Sequence, residues 1–130
     1  MKVIVALIAL AIASSATAAS TQQALMVGKW KSTDDAKAMV EIRADGTWID
    51  SYTGEPSATA TSHWLLFSGA KPPKEAASET LDAKSTYLEV NDQDGGQLFY
   101  ALERVDAKSL ELLYLDRGNE LSYARIKTKP

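Results

Sequence analysis

From residue 28 onward, apolar and polar positions alternate in short runs separated by turn residues, the pattern of half-buried β-strands. Val40 and Ile42 alternate with Glu41 and Arg43 over 38–43, and Trp48 opens a second run. His63 to Phe67 is a further strand, and the final third is regular, with strands over Tyr87 to Asn91, Leu98 to Val105, Leu110 to Leu115 and Glu120 to Lys127. The last four are joined by 92–96, 106–109 and 116–119, rich in Asp, Gly and Asn. Such connections are too short for a crossover helix, so neighbouring strands must run antiparallel. With those at Trp30, Met39, Trp48 and Trp64, about eight strands are predicted in an up-and-down order. A meander of that length removes its exposed edges by closing, so the expected fold is all-β, a small antiparallel up-and-down barrel.

The Ala44-Asp45-Gly46 turn fixes which residues face inward. A two-residue Asp45-Gly46 loop pairs Ile42 with Ile49. A three-residue loop ending on Gly46 pairs Ile42 with Trp48 and Val40 with Asp50, and gathers Val40, Ile42, Trp48, Asp50 and Tyr52 on one face. The second partition separates apolar from polar positions better, and it sets a carboxylate among apolar neighbours. Upstream, Ser20 to Met26 reads as one helical turn with Ser20 or Thr21 as N-cap and Leu25 and Met26 facing inward. The alternation lapses in two places. Residues 53–62 hold Gly54 and Pro56 and read as a loop; 68–85 hold Pro72-Pro73 and an Ala/Glu-rich run, and read as a short polar helix or flap.

The first residues change the compartment. Met1-Lys2, the apolar run Val3 to Ala13 and the small residues Ser14 to Ala18 form an export signal with cleavage expected after Ala18. The run is too short for a membrane span, which needs about 20 apolar residues. Residues 19–130 are then one domain, periplasmic or secreted, of about 110 residues, enough for a single core. The chain has no cysteine, so core packing must hold an exported fold without cross-links. A net charge of −3, one unit more negative once Lys2 is removed, gives no basic footprint for nucleic acid.

Gly28-Lys29-Trp30 resembles the Gly-x-Trp that opens the barrels of the lipocalin-like, or calycin, group. Arg125, in Tyr123-Ala124-Arg125-Ile126, resembles the arginine that packs over that tryptophan at the closed base, and Asp45-Gly46-Thr47-Trp48 is similar to a hairpin of small bacterial members. The resemblance implies a lipocalin-like barrel in which Trp30 and Arg125 are structural. The long C-terminal helix of typical lipocalins is absent from the pattern, and the chain is shorter.

No catalytic constellation stands out. His63 is the single histidine, with no Gly-x-Ser-x-Gly to supply a nucleophile, and one His without Cys is too few for a transition-metal site. Asp92, Asp94 and Gly95 fail the calcium-loop spacing, since Val90 and Ala101 would occupy the first and twelfth ligand places. The expectation is therefore a non-enzymatic chain without cofactor or metal. Trp48, Asp50, Tyr52, Trp64, Tyr100 and Arg104 are the candidate ligand-binding residues. The aromatics would supply contact area, Asp50 or Arg104 the polar handle, and 68–85 a lid, around a small apolar or amphipathic ligand in the barrel mouth. Outward-facing Phe99, Leu113 and Leu115 would either pack under 68–85 or mark a partner surface. The alternative is an interaction protein with a filled barrel, an envelope inhibitor or assembly factor that binds another protein through loops or outer strands.

Overall fold

The computed structural model describes residues 21–127; the proposed signal peptide lies outside them. After a short helix over 21–26, eight strands follow: β1 (Gly28–Ser32), β2 (Ala38–Ile42), β3 (Thr47–Tyr52), β4 (Ala60–Ser68), β5 (Thr86–Asp92), β6 (Gln97–Val105), β7 (Ser109–Tyr114) and β8 (Glu120–Arg125). Each pairs antiparallel with the next, and β8 returns to β1, closing an up-and-down barrel. Turns of 3-10 helix occupy Pro56–Ala58 and Lys74–Ala76.

The β2–β3 hairpin takes the three-residue register. Val40 pairs with Asp50, Ile42 with Trp48 and Ala38 with Tyr52. The Arg43 and Thr47 ends close on an Arg43 N–H bond to Thr47 O at 2.9 Å, while Asp45 Oδ1 accepts from Thr47 N at 3.0 Å. Alternation from this register fills the interior with Trp30, Val40, Ile42, Trp48, Trp64, Leu88, Val90, Leu110 and Leu112. Each fully buried aliphatic among them contributes about 1.5–3 kcal/mol relative to exposure.

The base is the end where the chain enters. Met26 is fully buried beneath the barrel and its carbonyl accepts the Trp30 indole N–H at 2.9 Å. Arg125, opposite Trp30 in the β1–β8 ladder, lays its guanidinium 4.1 Å from the indole centroid. It also donates to the carbonyls of Val27 (2.8 Å), Leu25 (2.6 Å) and Ala107 (2.7 Å). One side chain thus ties the helix, β1 and the β6–β7 turn together. Gly28 makes this possible: its φ is +146°, and a Cβ there would strike the Arg125 guanidinium, so only glycine suits both the backbone and the space.

Residues 69–85 depart from the expected lid. They leave β4 at the base end and pack on the outer wall, where Ala76 and Leu81 cover Phe67, Tyr87 and Phe99. The Phe67 and Tyr87 rings stack with centroids 5.7 Å apart, and the Tyr87 hydroxyl accepts the Asp82 N–H at 2.8 Å. Outward-facing Phe99 and Leu115 find their cover here. The segment is a second, external core held by aromatic burial.

Glu89 stands on the same outer wall between Leu65 and Phe99 in the ladder. Alternation points it to solvent, yet it is only 2 % exposed and its Oε1 accepts no hydrogen bond. A buried acceptor without a donor costs about 1–3 kcal/mol. Glu89→Met, of similar length, is expected to raise the unfolding free energy by about 1 kcal/mol in urea titration; a loss would mean that the carboxylate has a stabilising role.

Candidate functional site

The mouth lies at the opposite end from Arg125, where β3 and β7 finish and β4 and β8 begin. A cavity of about 160 Å³ opens there, lined by Trp48, Asp50, Ala60, Ser62, Val90, Asp92, Leu98, Tyr100, Leu112, Leu121 and Tyr123. Its floor is the filled core. The walls are largely apolar, and the polar groups come from five different strands: Asp50 on β3, Ser62 on β4, Asp92 on β5, Tyr100 on β6 and Tyr123 on β8.

Asp50 is placed by the hairpin register. Its Oδ2 accepts the Trp48 indole N–H at 3.2 Å, which fixes the indole and the carboxylate relative to each other. Water reaches Asp50 through the mouth, while the surrounding walls crowd it. Burial raises its pKa, the Trp48 bond opposes the rise, and solvent access limits it. Tyr100 and Tyr123 lie deeper. Burial, then the neighbouring phenol and Asp50, push the Tyr100 hydroxyl strongly upward, and burial followed by Asp50 pushes Tyr123 up to about 12. Both phenols therefore stay protonated and neutral across the physiological range.

A stability consequence follows from the sign of the Asp50 shift. A carboxyl whose folded pKa lies above its unfolded value binds protons more readily in the native state, so native stability falls as pH rises from the unfolded pKa through the folded one. Asp50→Asn removes that loss. The variant is expected to melt above the parent at pH 7, with the difference vanishing below about pH 4, the unfolded aspartate pKa. Equal melting temperatures at both pH values would show that burial places no cost on this carboxylate.

Of the six residues chosen from the sequence, Trp48, Asp50 and Tyr100 come together at the cavity. Tyr52 sits at the rim instead, with its hydroxyl bonded to Asp35, which with burial raises its pKa. Trp64 is buried toward the base, where its indole N–H donates to Arg43 O at 2.9 Å; it fills the barrel and takes no part in the mouth. Arg104 is a correction. A bulge at Glu103 sets Leu102 against Leu112 but Arg104 against Glu111, so the strict alternation from Tyr100 is broken. Val105 takes the inward place, and Arg104 is left on the surface near the base, bonded to Asp106 Oδ2 at 2.8 Å.

The six residues chosen from the sequence do not include Ser62, Asp92, Leu121 and Tyr123, which also line the cavity. Ser62 and Ala60 were hidden because 53–62 reads as a loop, whereas β4 starts at Ala60 and pairs it with Asp50. Asp92 reads as a turn residue, and its Oδ1 does accept the Asp94 N–H at 3.2 Å. Leu121 and Tyr123 share the face of Arg125, a signal that was available from alternation. Among the described residues, no group of three or more His, Cys, Asp or Glu is arranged to hold a metal ion. Comparison with family models, curated proteins and solved structures finds no match.

Proposed function

We propose that this chain is an exported, lipocalin-like binding barrel that holds one small amphipathic molecule in its mouth without acting on it chemically. The observation that carries this reading is the cavity itself. Apolar side chains fill the barrel from Met26 up to Leu112, and at the mouth a cavity opens where apolar walls meet five convergent polar side chains. That combination of apolar lining and a few placed polar groups is the usual make-up of a small-molecule site. Its size restricts the occupant: about 150 Å³ admits a benzene-sized molecule, whereas drug-sized ligands occupy about 300–1,000 Å³. Gly28, Trp30 and Arg125 support the lipocalin-like assignment, since the structure joins them in a single contact at the base. The export signal of the sequence supports a periplasmic or secreted setting.

Native mass spectrometry of the protein purified from its exported form tests the reading. The expected result is a stoichiometric adduct no larger than a single-ring compound, lost when Leu121→Trp fills the mouth. A clean apo mass, with no uptake of small apolar probes, would overturn it and favour the second reading, an interaction protein. The densely filled interior and the exposed Leu65 on the outer wall are the observations on that side.

A further inference from the structure

We infer that the mouth cavity selects a small organic cation, a molecule of about one ring bearing a protonated amine that sits on Asp50. The inference rests on the mouth being a binding site and names the chemical class of its occupant.

Three observations converge on it. The lining contains two carboxylates, Asp50 and Asp92, and no lysine, arginine or histidine. Among the described residues Asp50 forms no ion pair, and Arg43, Arg104 and Arg125 lie toward the base, engaged with Glu41 at 2.8 Å, with Asp106 at 2.8 Å and with backbone carbonyls. Among the described residues, the single hydrogen-bond donor to Asp50 is the neutral Trp48 indole, on Oδ2. A crowded carboxylate with one neutral donor has capacity for a charged one, and an ammonium supplies up to three N–H bonds together with the opposite charge.

The walls suit the same ion. Trp48, Tyr100 and Tyr123 surround the carboxylate on different strands, and the faces of such rings attract a cation within about 6 Å of the centroid. The two neutral phenols add oxygens that accept N–H bonds. Val90, Leu98, Leu112 and Leu121 leave an apolar remainder for the organic part of the ligand. An anion would meet two like charges here with no compensating group, and a wholly apolar ligand would bury Asp50 without a partner.

A set of matched probes tests the charge preference at constant size. Benzylamine, benzyl alcohol and benzoate are titrated into the mature chain at pH 7 and low salt, with binding read by calorimetry and by tryptophan fluorescence. Benzylamine is expected to bind at least tenfold more tightly than benzyl alcohol, and benzoate not at all. Asp50→Asn should remove the preference for the amine over the alcohol, and Asp50→Glu should restore part of it. Near-ultraviolet circular dichroism establishes that both variants keep the fold. Equal affinity for amine and alcohol, or an amine preference that survives in Asp50→Asn, would overturn the cation inference and leave the binding barrel standing. Failure of all three probes and of apolar dyes to bind would overturn both.

Discussion

Trp30→Ala is expected to lower the unfolding free energy by about 3–5 kcal/mol, the range for removing a fully buried large aromatic. Against a typical total of about 5–15 kcal/mol, that leaves a barrel near the edge of folding. The indole is completely enclosed, gives its N–H to Met26 O, and carries Arg125 on its face. Arg125→Ala is expected to cost about 2–4 kcal/mol, because it removes the cation–π contact together with charge-assisted bonds to Val27 O, Leu25 O and Ala107 O. The two losses overlap. A double-mutant cycle by urea unfolding should therefore show a coupling of about 0.5–2 kcal/mol, with the double variant less destabilised than the sum. Arg125→Lys keeps the charge but not the planar fork, and should recover only a minor part. Strictly additive effects would mean that the guanidinium holds the backbone carbonyls alone and that the stacking geometry carries no energy.

Gly69→Ala is the second large effect expected. A Cβ at this position would collide with the Asp82 carbonyl oxygen, and would lie 2.8 Å from its carbonyl carbon and 2.9 Å from Tyr87 Cε2. The obstacle is backbone, which cannot swing aside as a flexible side chain would. Gly69 also opens the 69–85 segment, donating its N–H to Ser85 O at 2.9 Å. Relief of the clash requires the segment to lift from the wall, which uncovers Phe67, Tyr87 and Phe99 and breaks the Asp82–Tyr87 bond. Overpacking of this kind costs about 1–3 kcal/mol. Limited proteolysis should cut the variant within 70–84 much faster than the parent, while the barrel itself retains its strand signal in circular dichroism. Unchanged cleavage and stability would show that the segment does not depend on close contact with the wall.

Much of this architecture is legible in the chain because it is governed by local chemistry. Alternation places Val40, Ile42, Leu110 and Leu112 inside, and the Asp45-Gly46 turn sets a register that carries Asp50 to the cavity side of β3. The short connections after β5, β6 and β7 dictate antiparallel neighbours. Half of the candidate site was reached in this way, through Trp48, Asp50 and Tyr100. The other half was lost to features with no local signature. A single extra residue, Glu103, reverses the face of Arg104 and admits Val105 to the interior. Whether Trp64 or Tyr123 faces open space depends on which end of the barrel is plugged, and that is decided by the helix and Met26 arriving from far away in sequence.

The sequence by itself thus determined the strand order, the antiparallel pairing and an acidic group beside aromatics, and reduced the hairpin to two registers, since each follows from side-chain period and turn conformation within a few residues. Only the tertiary structure decided that the barrel is filled at one end and open at the other, that 69–85 sheathes the outer wall instead of covering the mouth, and that the cavity lining holds two carboxylates and no basic side chain. These depend on closure of β8 against β1 and on contacts between residues tens of positions apart. No window of the chain encodes them singly; they follow from burying all its apolar faces at once.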